Sequence, residues 1–219
     1  MCLWRFEVQW PSSPPPRLDS INLLLFLNHT SLFDPVFLAV VPFSGLWFIA
    51  RRMVAPGAQK TLDRPLVGMI YKFLFPQMVS ITRKRDFSWD HFLNSISSDN
   101  LIVIAPEGRM KRRNGLDADG KPMSVRGGVA DILSELTEGK MLLVFSGGLH
   151  HIQAPGERRV HFFRTIKVKI EIEDIAAYKK QILSSIPFAA SSDIESIKTA
   201  FTAKVIEELN NRLRTRVPT

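Results

Sequence analysis

The sequence predicts an α/β fold, a mixed and mostly parallel central sheet flanked by helices. Three observations carry this. Short apolar runs of strand length recur along the chain, stretches with helical spacing separate them, and 45% hydrophobic content over 219 residues is enough to bury one core. The length fits a single domain spanning residues 1–219.

The elements follow in order. Residues 3–10 alternate apolar with polar in a strand-like way, and the Pro-Ser-Ser-Pro-Pro-Pro run after them is a stiff connector, so residues 1–20 read as an N-terminal strand and linker. Further strands are expected at Leu23–Leu27, Leu46–Ala50, Met78–Thr82, Leu101–Ala105, Met141–Phe145 and Val160–Ile172. Helices are expected between them, at Pro35–Val41, Pro65–Phe75, Trp89–Ser97 and Arg126–Leu136. In the last stretch, 190–217, Ile194, Ile197, Phe201, Val205, Ile206 and Leu209 recur at near-helical spacing, which predicts an amphipathic helix packed on the sheet.

Charge and cysteine usage narrow the setting. A net charge of +8 and a pI near 9.9 attract something anionic: nucleic acid, lipid headgroups, an acidic carrier protein or a phosphorylated substrate. Charge alone does not choose. Cys2 is the single cysteine, so no internal disulfide forms and a reducing, cytoplasmic compartment is expected. Pro11, Pro14, Pro15 and Pro16 interrupt the first residues before a secretion signal develops. The longest uncharged stretch, Pro35 to Ala50, is broken by Pro42, Ser44 and Gly45 and falls short of the roughly 20 residues that a spanning helix needs. A protein lying on the inner face of a membrane without crossing it is the expectation. Phe43, Leu46, Trp47, Phe48 and the run Tyr71-Lys72-Phe73-Leu74-Phe75, rimmed by Arg51, Arg52, Lys60 and Lys72, are the candidate contact surface.

Four constellations have chemical potential. Asn28-His29-Thr30-Ser31-Leu32-Phe33-Asp34 stands where a buried strand ends and a helix begins. A histidine there, next to a carboxylate that can hold its ring, is the ordinary arrangement of a general base near neutral pH. Asp34 followed by Pro35 equally fits a helix N-cap with proline in the first turn. The second constellation is Leu101 to Arg109, a strand running into Pro106-Glu107-Gly108, where proline fixes the turn and glycine lets a ligand approach the backbone. The third and fourth are cation runs, Arg83-Lys84-Arg85 and Arg109-Met110-Lys111-Arg112-Arg113. Such runs are usually solvated faces, yet one arginine at a strand end matches a phosphate bidentately. His150 and His151 invite a metal reading, but adjacent histidines on a strand face opposite ways, so no metal site is expected.

Together these residues resemble the glycerolipid, or lysophospholipid, acyltransferase family, to which the 1-acylglycerol-3-phosphate acyltransferases belong. Asn28 to Asp34 matches the family's Asn-His-x4-Asp motif, Pro106-Glu107-Gly108 its Phe-Pro-Glu-Gly-x-Arg motif, and Ile81-x-Arg83 the arginine motif between them. The resemblance covers roughly residues 22–150. Ala105 replaces the usual phenylalanine, Arg109 follows Gly108 without the common intervening residue, and Leu143-Val144-Phe145-Ser146 lacks the proline of the last motif.

The resemblance implies a glycerol-phosphate acyltransferase-like fold and transfer of a fatty acyl group from an acyl thioester, acyl-CoA or acyl carrier protein, to a lysophospholipid hydroxyl. His29 would be the general base and Asp34 its orienting partner; Arg83, Glu107, Gly108 and Arg109 would bind substrate, with no cofactor or metal. An anionic membrane surface is the expected partner and nucleic acid is not. A thioesterase or lipase would carry a Gly-x-Ser-x-Gly elbow, which does not occur. Alternatives are a basic nucleic-acid- or lipid-binding domain without catalysis, and acylation of another lysolipid. A nucleic-acid module would leave His29, Asp34 and Glu107 at strand ends without a purpose.

Overall fold

A computed structural model describes residues 3–12, 18–31, 33–63, 65, 68–69, 73, 77–82, 86–155, 157, 159–187 and 193–219. Its centre is β2 (Ile21–Leu27), whose apolar run Leu23–Leu27 suits a strand covered on both faces. Six strands join it: β1 (Arg5–Gln9), β3 (Met53–Ala58), β4 (Met78–Ile81), β5 (Leu101–Ile104), β6 (Lys140–Ser146) and β7 (Thr165–Asp174). They form one sheet in the order β1-β7-β6-β2-β5-β3-β4. The five strands β6, β2, β5, β3 and β4 run parallel; β7 pairs antiparallel with β6, and β1 follows β7. The sheet is therefore mixed and mostly parallel, as its sequence predicts.

The two faces bury different amounts of helix. On one, Leu23, Leu25 and Leu27 pack against α3 (Phe87–Asn94), α4 (Gly128–Glu135), α5 (Ile175–Ser184) and α6 (Ile194–Arg216), through Phe92, Ile132, Leu133, Tyr178, Phe201, Val205 and Leu209. On the other, Leu24 and Phe26 meet a thinner layer: Phe37 of a 3-10 helix (Asp34–Val40), Ile49 of α1 (Phe43–Arg52), and Leu149 and Ile152 of the turn after β6. A short α2 (Gln59–Leu62) follows β3. Asp86, Asp174 and Asp193 cap α3, α5 and α6 by accepting backbone N–H groups of Ser88, Ala177 and Ser196 at 3.0, 2.9 and 2.7 Å.

Several elements differ from expectation. The Leu46–Ala50 strand is instead the middle of helix α1, since Ile49 is buried while Phe43, Trp47 and Ala50 stand out at helical intervals. Both helix faces are apolar there, so no polar stripe betrays the period. β3 is an addition: Pro56 and Gly57 argue against a strand in sequence. Pairing with β5 stops at Val54, so the proline removes no bond on that side. A Cβ at Gly57 would lie 2.5 Å from the Met78 sulfur, so glycine lets the Met78 side chain pack against the strand as it does, and a larger residue would require that side chain to move. α5 is a further addition, and β7 begins at Thr165 rather than Val160. The helix expected at 65–75 falls mostly outside the described residues, of which Pro65, Gly68, Met69 and Phe73 are helical. Pro14, Pro15, Pro16, Tyr71, Lys72, Leu74 and Phe75 also lie outside them.

Among the described residues no helix is long and apolar enough to cross a membrane. Gly139, before β6, carries a stability prediction: its φ is +101°, and a Cβ there would lie 2.1 Å from the Asn22 side-chain oxygen. Gly139→Ala should cost roughly 1–3 kcal/mol from left-handed strain and overpacking, read as a fall of several degrees in melting temperature.

Candidate active site

Strand direction creates the site. β6, β2 and β5 are parallel neighbours, so Ser146, Asn28 and Pro106 emerge together at one end of the sheet, where open α/β folds bind ligands. Asn28 ties the three ends together. Its backbone N–H donates to Glu107 Oε1 at 2.6 Å, its Nδ2 to the Ser146 carbonyl at 2.8 Å, and its Oδ1 accepts from Lys111 Nζ at 3.3 Å. Asn28 has φ +64°, a left-handed conformation that asparagine tolerates better than other residues with a Cβ. That turn swings the next residue, His29, out of the strand direction.

His29 Nδ1 is hydrogen-bonded to Asp34 Oδ2. The contact fixes the ring and leaves Nε2 without a protein partner among the described residues, on a side chain that is 20% exposed. Asp34 opens the 3-10 helix but does not cap it. The N-cap position belongs to Phe33, and no side-chain cap bond is made, so the capping reading of Asp34 gives way to the histidine contact. The other oxygen, Asp34 Oδ1, is buried without a partner among the described residues. Glu107 is 2% exposed, and its Oε2 is likewise buried and unpartnered among them.

The residues at this end of the sheet lie within a region matched by a family model. A family model described as acyltransferase matches residues 14–165. The chain belongs to the acyltransferase family. No curated protein sequence matches it. In structure it is similar to the 1-acyl-sn-glycerophosphate acyltransferase PlsC from Thermotoga maritima, with TM-score 0.52 and 15% identity over 98% of this chain and 74% of that one. At that identity the likeness speaks for the fold, and it agrees with the acyltransferase-like architecture expected from the motifs.

Electrostatics at this end of the sheet follow from burial and contact. Burial alone would push the His29 imidazole down, but the Asp34 hydrogen bond and charge, with the Glu107 charge, outweigh it and hold His29 above the ordinary histidine value. Burial raises the Glu107 carboxyl, opposed by the backbone N–H groups of Glu107 and Asn28 and by the charge of His29. Burial also raises Asp34, against the pull of His29.

The cations are distributed differently from their order in sequence. Arg109 stands in the loop after Glu107, but its guanidinium is hydrogen-bonded to Asp117 and, at 2.6 Å, to Asp119. Asp117 also accepts the Asp119 and Lys121 N–H groups at 2.8 and 2.9 Å, and it titrates near about 2, with the Lys121 bond the largest cause. Arg109 is thus an anchor of the 109–122 loop. The Gly108 N–H is engaged by the Ala105 carbonyl at 3.0 Å. Arg83 lies outside the described residues, as do Lys84 and Arg85.

Two other basic residues are anchored beside the site. The Lys111 N–H donates to the His29 carbonyl at 2.8 Å, in addition to the side-chain contact with Asn28. The Arg126 N–H donates to the Pro106 carbonyl at 2.8 Å, and a Cβ on Gly108 would lie 4.0 Å from Arg126 Cγ, so this stem runs beside the turn. Arg126 is exposed, and its guanidinium has no partner among the described residues. Neither residue was singled out by motif; Lys111 sits within a charge run, and Arg126 is remote in sequence. His150 and His151 use Nε2 on the carbonyls of Lys111 and Thr165, at 2.6 and 2.8 Å.

Proposed function

We propose that this acyltransferase moves a fatty acyl group from a thioester, acyl-CoA or acyl carrier protein, onto a hydroxyl of a lysophospholipid, with 1-acylglycerol 3-phosphate as the best-fitting acceptor. The observation that carries the reading is a histidine held through Nδ1 by Asp34, with Nε2 unengaged, beside a buried glutamate at the ends of parallel strands.

His29 Nε2 takes the proton of the acceptor hydroxyl as its oxygen attacks the thioester carbonyl. Asp34 keeps the tautomer and stabilises the imidazolium that forms. The tetrahedral intermediate collapses, the carbon–sulfur bond breaks, and the thiolate leaves with the proton that His29 returns. The step needs no covalent enzyme intermediate and no metal. Glu107 Oε2, buried and unpartnered, is the group to hydrogen-bond a glycerol hydroxyl. Because the Gly108 N–H is engaged by Ala105, the developing oxyanion is assigned to the next backbone donor in the chain, the Arg109 N–H.

The acceptor phosphate is assigned to Arg126 and Lys111, with Arg83 from the intervening motif. Arg109 is the weaker ligand because two aspartates already neutralise it. Arg126→Ala should raise KM for 1-acylglycerol 3-phosphate about ten-fold or more and leave KM for a monoacylglycerol, which lacks the phosphate, unchanged. Initial rates with both acceptors check this; equal effects on the two acceptors would remove Arg126 from the phosphate site.

Peripheral association with an anionic membrane face belongs to the same reading. Phe43 and Trp47 of α1 are 86% and 62% exposed, Arg51 lies over the Trp47 ring at 5.1 Å, and Arg52 over Phe48 at 4.6 Å. The chain should sediment with anionic vesicles and release as salt rises. The defining experiment incubates the protein with a labelled acyl thioester and a panel of lysolipids and identifies the product. Transfer to no lysolipid would end the reading.

A further inference from the structure

Phe163 has φ +58°, a left-handed conformation that a bulky side chain rarely adopts. Its ring is 69% exposed, so burial within the protein does not offset the strain. Two bonds between neighbouring segments hold the backbone there. The Phe163 N–H donates to the Leu3 carbonyl at 2.7 Å, and the Arg5 N–H to the Arg164 carbonyl at 3.1 Å. Phe162, also exposed, packs on Trp4 with ring centroids 5.6 Å apart. Trp4 donates its indole N–H to the His161 carbonyl at 3.0 Å, and Leu3 is exposed beside it. The result is a knuckle of exposed Leu3, Phe162 and Phe163, backed by Trp4, which packs against the core on that face of the sheet.

The charge around it selects the occupant. Arg5, Arg159 and Arg164 are exposed along the same two segments. Glu7 lies 3.8 Å from Arg5 and compensates it, which leaves Arg159 and Arg164 as the exposed cations without a carboxylate partner among the described residues; Glu157 is bonded to Arg113 at 3.1 Å. An apolar tip ringed by cations matches a surface with an apolar interior and a negative skin, as an anionic bilayer has.

Strand polarity then gives the orientation. The knuckle immediately precedes β1 and β7, which run against the other five strands, so it stands at the end of the sheet where β6, β2 and β5 finish. The His161 N–H donates to the Ile152 carbonyl at 2.8 Å, joining the knuckle to the turn that carries His150 and Gln153; Gln153 Oε1 accepts from Ser31 in the His29 motif at 3.1 Å. We infer that Leu3, Phe162 and Phe163, backed by Trp4, insert into an anionic bilayer and set the protein down with the His29 end of the sheet facing lipid. Acceptor and acyl chain then reach His29 from the membrane plane. This rests on the acyltransferase reading for the role of that end, whereas the membrane contact stands apart from it.

The test uses the full chain with phosphatidylcholine vesicles containing phosphatidylserine, and compares the Phe162→Ser/Phe163→Ser double variant with Phe163→Gly and with Phe43→Ser/Trp47→Ser. The double variant should lose at least about ten-fold in vesicle partition. Phe163→Gly, which relieves the backbone while deleting the ring, should lose partition with no fall in melting temperature. Both should keep wild-type rates on a short-chain, water-soluble lysophosphatidate and lose rate on the vesicle-embedded acceptor. Unchanged partition of a folded double variant or of Phe163→Gly overturns the inference, whatever the α1 variant does. So does a dimer in light scattering that the double variant abolishes, since the knuckle would then serve a second copy of the chain. Wild-type protein that binds vesicles but transfers no acyl group to either acceptor would instead sink the acyltransferase reading and leave the membrane contact in place.

Discussion

His29→Ala lowers kcat by about 10²- to 10⁴-fold, the loss expected when a positioned general base is removed. The reason lies in the division of the ring: Nδ1 is committed to Asp34, and Nε2 is the nitrogen left to take a proton. The variant should remain folded by circular dichroism, because the side chain is partly exposed and Asp34, freed of its cation, is driven by burial toward its neutral form. Near-wild-type turnover by a folded variant would end the proposal. The wild-type enzyme should also gain activity with rising pH, since the working base is neutral imidazole. Its acidic limb should be centred above the ordinary histidine value of about 6.5, because the contacts with Asp34 and Glu107 favour the protonated ring.

Asp34→Asn has the second largest expected effect, a drop in kcat of about 10²- to 10⁴-fold with the acidic limb displaced to lower pH. The sign follows from the charge: Asp34 holds His29 up, so a neutral amide lets the imidazole titrate lower. The amide can also donate to Nδ1 and impose the wrong tautomer. Because the Asp34 side chain caps no helix, the loss of rate is not entangled with a lost cap, and the melting temperature measured alongside should change little. A limb that stays in place would mean that another group tunes His29.

The central strands and the spacing of the motifs were legible from residues alone. β2, β5 and β6 are apolar runs that end in polar residues, and covered parallel strands have that pattern wherever they occur. His29 and Asp34 are close in sequence, so a short turn is enough to bring them together. β3 was hidden by Pro56, which is acceptable only because β5 has stopped pairing at Val54. α1 was hidden because both its faces are apolar, one against Ile49's core neighbours and one exposed through Phe43 and Trp47.

The surroundings of the cations were the part that sequence did not reveal. Arg109 adjoins Gly108 in the chain, yet the 109–122 loop folds back and brings Asp117 and Asp119 onto its guanidinium. Arg126, remote in sequence, bonds through its backbone to Pro106 and runs past Gly108. Residue type and local spacing determined the His29–Asp34 pairing and the fold class, because those depend on neighbours within a turn or on the period of an apolar face. Which cations are neutralised, which carboxylate oxygens are left unpartnered, and which aromatic rings emerge at the His29 end were decided by the tertiary structure, because each depends on groups that only the closed sheet and its loops bring within hydrogen-bonding range.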